Sequence, residues 1–168
     1  MEQSAREHES HEGSGSEDRT TTQFLTFSLG EVTYGIDIGH VIEIVGMQSI
    51  TSVPNVPEYV KGVINLRGQV IPLIDVRLRF RMPPLEYHNR TCVIVVRIDK
   101  LEVGFIVDVV QEVVTVSRTS LEPPPEMGYG QFTEFISGIV KIDEDVKMIL
   151  DVVKLLYDQD AAPARRSA

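Results

Sequence analysis

A chain of 168 residues is long enough for one ordinary domain or two small ones packed together, and it buries roughly 70% of its extended surface, so core size does not limit the fold. Twenty-five acidic residues against sixteen Lys and Arg give a formal net charge of −9 with no basic stripe, which argues against a nucleic-acid partner because phosphate binding draws on clustered cations. The longest apolar runs, Thr91–Val96 and Val103–Val110, fall far short of the ~20 residues that cross a bilayer, and no signal-peptide pattern opens the chain; a cytoplasmic protein without direct membrane insertion is expected.

Residues Met1–Thr22 hold six acids, two arginines and almost no large apolar side chains, the composition of a disordered acidic leader. Alternating β-rich sequence starts at Gln23: Phe24–Leu29, a turn at Gly30-Glu31, then Val32–Ile36 read as a hairpin. Ile38, Val41, Ile42 and Val45 follow at helical spacing, which predicts a short helix or half-helical connector over Asp37–Val45. Pro57-Glu58 predicts a second short helix with proline at its first position. Gly62–Leu66 and Gln69–Val76 form a further hairpin across Arg67-Gly68, where Gly68 supplies permissive backbone. Arg81–Arg90 is a connector.

Thr91–Ile98 and Leu101–Val107 then pair across Asp99-Lys100, and Val109–Val116 continues the sheet. Cys92, the single cysteine, lies in the apolar run TCVIVV and reads as a buried inert thiol. Three consecutive prolines and two glycines make Ser117–Thr133 a surface loop. Glu134–Ile142 and Val146–Leu150 form the last hairpin over Asp143–Asp145, and Asp151 caps a final helix that turns Val152, Leu155 and Leu156 inward. A flexible tail over 158–168 is expected. Ten short strands in two groups of five predict a mainly β fold of two SH3-like, mostly antiparallel five-stranded barrels, intertwined subdomains at about 23–80 and 91–156, with short connecting and C-terminal helices.

The chain also repeats itself. Lys61–Phe80 aligns without gaps on Ser137–Leu156 at an offset of 76 residues, matching Gly62 with Gly138, Val70 with Val146 and Asp75 with Asp151. Val32–Ile44 aligns on Leu101–Val113 at an offset of 69, matching Gly35 with Gly104, Val41 with Val110 and Glu43 with Glu112. Shared apolar positions outnumber identities, the signature of a duplicated packing pattern.

Signs of catalysis are absent. Neither Gly13-Ser14-Gly15-Ser16 nor Gly128-Tyr129-Gly130 has the strand-to-helix context of a phosphate loop, and nucleophile-elbow and zinc-helix motifs are missing. His8 and His11 lie in the leader, where metal binding would have to offset full ordering entropy. Asp143, Glu144 and Asp145 lack the alternating ligands of a calcium loop. No enzyme, cofactor or metal is expected. The copies differ where one has Asn65-Leu66-Arg67-Gly68 and the other Lys141-Ile142-Asp143-Glu144. Arg67 at a hairpin tip is either a donor fork for a partner's carboxylate or carbonyl, or one half of an internal salt bridge to Glu43 or Asp75. Val41 and Ile44 also fit a core reading.

At Gly62–Asp75, GVINLRGQVIPLID, the sequence resembles the CheW-type coupling proteins of bacterial chemotaxis. The likeness runs from about Gln23 to Tyr157 and is supported by YGIDIGHVIEI, VPEYVKG, LEVGFIVDVVQEV, ISGIVKID and ILDVVKLL. It implies two five-stranded barrels and a non-catalytic scaffold recruited to membrane-associated receptor arrays. The implied partners are the regulatory domain of the histidine autokinase CheA, which has the same fold, and the cytoplasmic tips of chemoreceptors, the methyl-accepting chemotaxis proteins. Carried over by position, it assigns Val41, Glu43, Ile44, Gly62 and Arg67 to the kinase contact. Val103, Val110 and Val113 fall to a receptor helix in the groove between barrels, and Gly68 and Gly138 to backbone geometry. The acidic leader is outside the family pattern. A barrel that binds a soluble ligand in the same groove is the alternative.

Overall fold

Left-handed backbone decides where the strands reverse. The computed structural model describes residues 20–124 and 134–157; the acidic leader up to residue 19, the loop segment 125–133 and the tail 158–168 lie outside the described residues. Four hairpin tips carry residues with positive φ: Gly30, Arg67 with Gly68, Asp99, and Asp143. Such turns match the right-handed twist of the strands they join. They link β1 (Thr21–Leu29) to β2 (Val32–Asp37), β4 (Val60–Leu66) to β5 (Gln69–Asp75), β6 (Cys92–Ile98) to β7 (Leu101–Val107), and β9 (Ile136–Ile142) to β10 (Asp145–Leu150). β3 (Val41–Gly46) and β8 (Val109–Ser117) follow the first and third hairpins. β1 starts at Thr21, so the expected leader ends two residues early.

The strands form two five-stranded sheets, ordered β8-β1-β2-β10-β9 in barrel A and β3-β6-β7-β5-β4 in barrel B. Exchanging β1–β5 for β6–β10 converts one order into the other, so the sequence repeat is a structural twofold. The halves are intertwined: barrel A takes three strands from the second half of the chain, and barrel B takes two. The connector at 81–90 therefore separates the copies of the sequence pattern, at about 23–80 and 91–156, while each barrel draws strands from both. Nor is pairing wholly antiparallel, since β5 runs parallel to β7 and β10 parallel to β2. These are two of the four contacts between strands of different halves; the others, β1 with β8 and β3 with β6, are antiparallel.

Each barrel closes through a bridge at matching positions. Thr51, after β3, exchanges backbone hydrogen bonds of 2.9 Å with Val63 on the opposite edge strand. Glu122, after β8, does the same with Ile139 at 2.8 and 2.9 Å. The repeated glycines sit beside these closures. At Gly62, with φ +145, a Cβ would collide with the Thr51 carbonyl oxygen, and at Gly138 it would lie 3.2 Å from the Glu122 carbonyl oxygen. Side chains are excluded there because backbone meets backbone.

One apolar core runs through both barrels, with Phe27, Tyr34, Ile36, Leu150 and Leu155 from barrel A and its following helix, and Ile74, Ile94, Val103, Phe105 and Val107 from barrel B. A smaller cluster of Ile64, Ile71, Leu73 and Ile106 belongs to barrel B alone. The final helix, Val152–Leu156, forms as expected: the Asp151 carboxylate accepts from the N–H groups of Val153 and Lys154, with Val152 and Leu155 buried. The matching Asp75 caps an unexpected helix, α1 (Val76–Arg79), in the same way by accepting from Leu78; the C-terminal helix is α2. The helix expected at Pro57 is absent, and over Asp37–Val45 the half-helical alternative holds for a single turn. Asp37–Val45 is a 3-10 turn at Ile38–His40 followed by β3, because β-branched Val41 and Val45 pack better on a pleated strand. Pro57 instead opens a turn whose carbonyl accepts from Val60 N–H at 3.0 Å. Cys92 is half-buried, and burial pushes its thiol pKa up.

The glycines predict a graded response to alanine, measured by urea unfolding. Gly62→Ala should cost about 3 kcal/mol or more, because rigid backbone occupies the added methyl's place. Gly104→Ala meets only the Leu73 and Val93 side chains, each 2.6 Å away, and should cost about 1–3 kcal/mol. Gly68→Ala, with open space but φ +82, should cost about 1 kcal/mol.

Candidate interaction surface

β3 is an edge strand of barrel B and alternates strictly: Val41, Glu43 and Val45 are half-buried, while Ile42, Ile44 and Gly46 face solvent. Isoleucine on the open face of an edge strand is an apolar surface without an internal partner element. Its other face carries a charge that must be matched. Arg67 does so from the β4–β5 tip, Nη1 donating to Glu43 Oε2 at 2.8 Å and Nη2 to Oε1 at 2.7 Å. The tip is rigid, since Asn65 Oδ1 accepts the Gly68 N–H at 2.9 Å and both turn residues take positive φ. The two parallel hydrogen bonds hold the Glu43 carboxyl below the usual carboxylate range and push Arg67 upward. Glu102 on β7, itself 2.6 Å from Arg97, adds to the field that favours charged Arg67.

Of the two readings of Arg67, the internal salt bridge to Glu43 is the one present. The guanidinium nevertheless stays on the surface, at 65% exposure against 25% for Glu43. Val41 and Glu43 thus lie on one face of β3, where Arg67 reaches Glu43 from the β4–β5 tip, and Ile44 lies on the opposite, solvent-facing side of the same strand. Gly62 does not join them as a contact: it is buried at the barrel closure and has no side chain.

The second predicted set divides. Val110 is half-buried against the shared core and Val113 stands exposed on β8, the twofold equivalents of Val41 and Ile44. Val103 is 0% exposed, enclosed in the shared core. It cannot touch a partner in this conformation, because β7 lies between β6 and β5 at the centre of its sheet. β8 carries a bulge opposite Thr26, whose buried hydroxyl donates to the Glu112 carbonyl at 2.8 Å and accepts its N–H at 3.2 Å. The bulge re-aims the strand, which is how Val113 reaches solvent.

Sequence reasoning missed three exposed apolar residues: Ile42 on β3, and Val70 and Val146 beside the two equivalent hairpin tips. The Val70–Val146 identity in the repeat was a usable signal, but alternation alone assigns no strand face to solvent. Among the described residues, no cluster of His, Cys, Asp and Glu could hold a metal ion, and no helix is long and apolar enough to cross a membrane.

Comparison with known proteins supplies a context for this surface. The sequence model of the CheW-like domain matches residues 23–160. The chemotaxis protein CheW of Klebsiella aerogenes is 37% identical over 140 residues, covering 83% of this chain and 84% of that protein. The Bacillus subtilis chemotaxis protein CheW is 34% identical over 146 residues, covering 87% and 94%. In three dimensions the chain is similar to the crystal structure of the scaffolding protein TtCheW from Thermoanaerobacter tengcongensis, with TM-score 0.76 and 38% identity, over 82% of this chain and 94% of that one.

The Glu43–Arg67 pair predicts a measurable titration. The Glu43 carboxyl, followed by NMR, should titrate below an ordinary glutamate in the intact protein and rise toward the ordinary glutamate range in Arg67→Ala. A depressed folded-state pKa means that the pair's contribution is present above the ordinary value and fades as pH falls through the lowered one. An unchanged Glu43 pKa in the variant would show that the pair does not persist in solution.

Proposed function

The chain belongs to the CheW-like domain family of non-catalytic chemotaxis scaffolds, and from that premise we propose that it couples the cytoplasmic tips of chemoreceptors to the histidine autokinase CheA, within receptor arrays at the membrane. The observation that carries the reading is the edge strand β3, which exposes Ile42 and Ile44 on one face and holds Glu43, paired with the Arg67 tip, on the other. An apolar strip with a fixed charged rim is suited to another barrel, because the apolar part supplies contact energy and the charges supply register. Kinase contact is assigned to Val41, Glu43, Ile44 and Arg67, with Gly62 acting through the position of β4. Receptor contact is assigned to the Val110–Val113 stretch of β8, with Val103 supporting it from the core. The twofold gives one protein two similar edges that can engage two different partners.

Such a protein carries signal without covalent change. Receptor and kinase must be held so that a receptor rearrangement has different contact energy with two kinase states. Individual contacts can be modest, since neighbouring sites in an array raise effective concentration.

Kinase autophosphorylation with receptor-bearing membranes, with and without the purified protein, tests this reading. Protein-dependent activation that receptor ligand then modulates is the expected result. Ile44→Asp and Arg67→Glu should keep the melting temperature and weaken kinase binding by about tenfold or more, the second because Glu43 then faces another carboxylate. Val113→Asp should instead weaken receptor binding. If kinase and receptors bind the protein neither singly nor together, the coupling function is wrong; if Arg67→Glu unfolds it, the role assigned to Arg67 is wrong.

A further inference from the structure

Beside the Arg79 hydrogen bonds from α1 to the carbonyls of Leu155 and Lys154, one ion pair engages several of the elements that meet between the barrels. Arg77 on α1, which follows barrel B strand β5, donates from Nε to both Asp108 oxygens at 3.0 and 3.1 Å, and from Nη2 to Oδ2 at 3.0 Å. Its Nη1 donates to the Pro83 carbonyl at 3.0 Å, fixing the start of the connector. Asp108 is the one residue between β7 and β8, where the chain leaves barrel B for barrel A. Its Oδ2 also accepts the N–H of Gly30 at 2.9 Å, in the β1–β2 turn of barrel A. Both charged side chains are only 14% exposed.

The duplication provides an internal control. At the offsets of the repeat, Arg77, Asp108 and Gly30 correspond to Val153, Gly39 and Asp99, residues that cannot form this pair. The twofold is therefore broken: one side of the junction is clasped by directional polar contacts, and the other is not clasped in this way. The shared apolar core opposes separation of the barrels but is non-directional, so it sets their relative angle only loosely. A forked arginine–carboxylate contact adds that angular specificity.

We propose that Arg77 and Asp108 are positioning residues that fix the angle between the two barrels, and that receptor control of the kinase depends on this angle. The second half of the statement rests on the coupling function proposed above. A scaffold whose two edges engage different partners transmits a receptor rearrangement only if those edges move as one body; a swivel would absorb it. Loss of the clasp should leave each edge intact and uncouple them.

The test uses the full chain with Cys92→Ala and spin labels on cysteines introduced at the exposed positions 100 in barrel B and 141 in barrel A. Asp108→Asn preserves shape and an acceptor for Gly30 while removing the charge. Arg77→Leu with Asp108→Asn leaves no lone charge at the junction, which guards against simple misfolding. Expected in both variants are a broadened label-to-label distance distribution and affinities for isolated kinase domain and isolated receptor tips within about threefold of the parent. The receptor-dependent change in kinase activity should fall by about tenfold, in the range of ordinary coupling energies. An unchanged distance distribution overturns the clasp. A broadened distribution with intact receptor control overturns the dependence of control on the angle. If the parent protein itself brings no receptor control, the coupling function fails, while the distance measurement still decides whether the clasp sets the angle.

Discussion

In each barrel one of the two contacts between strands from different halves of the chain is parallel, and it fits because a glycine lies under a branched side chain. Leu73 pairs with Gly104 in barrel B and Ile149 with Gly35 in barrel A, positions related by the offsets of the repeat. A Cβ at Gly104 would come within 2.6 Å of Leu73 Cδ2, and one at Gly35 within 3.1 Å of Ile149 Cδ1. The rest of the architecture follows from these contacts. They merge two sets of hairpins into two mixed sheets, make the core continuous between barrels, and prevent either half of the chain from completing a barrel alone. The helices α1 and α2 occupy the same place in each copy, following the exchanged strands β5 and β10 and capped by Asp75 and Asp151 at their ends.

Around this exchange, polar groups are placed where the apolar core cannot specify geometry. The Asp75 carboxylate serves both the α1 N-terminus and Tyr87, whose hydroxyl donates to Oδ2 at 2.8 Å. The connector between copies is thereby fastened to barrel B, and the Tyr87 pKa is pushed well up by burial and by the hydrogen bond to that carboxylate. Arg79, buried on the same helix, donates to the carbonyls of Leu155 and Lys154 and lies over the rings of Tyr59 and Phe135. It joins α1 to the far barrel by hydrogen bonds at the frayed end of α2, where unpaired carbonyls need donors. Each contact adds direction to an interface whose energy is mainly hydrophobic.

Hairpins, turn positions and the twofold were legible in the sequence because they are local or register-preserving. Intertwined barrels were expected, but which strands cross was not legible, since nothing in the alternation of β2 or β5 says whether its outer neighbour comes from the same half. β3 shows a subtler failure. Its inward positions are Val41, Glu43 and Val45, and a charged residue in the middle hides the period of two, leaving Ile38, Val41, Ile42 and Val45 to imitate a helix. Glu43 is tolerated there because Arg67, 24 residues away, neutralises it, information no local window contains. The same limit governs the candidate contacts. Resemblance selected Gly62 and Val103 by position, but position carries no exposure, and both are enclosed in this structure.

The pair that obscured β3 also bears on what the surface can do. An arginine in a mobile turn would lose side-chain freedom on meeting a partner, which weakens association. Arg67 is already held by Glu43 and by a turn whose own polar groups are satisfied. A partner carboxylate or carbonyl approaching it meets a guanidinium whose position is set, with Glu43 limiting the attraction toward acidic groups in general. Internal pairing and external recognition are therefore compatible: the first reduces affinity for any single anion, and the second gains orientation. In a scaffold, where the value of a contact lies in the geometry it imposes, that exchange favours function.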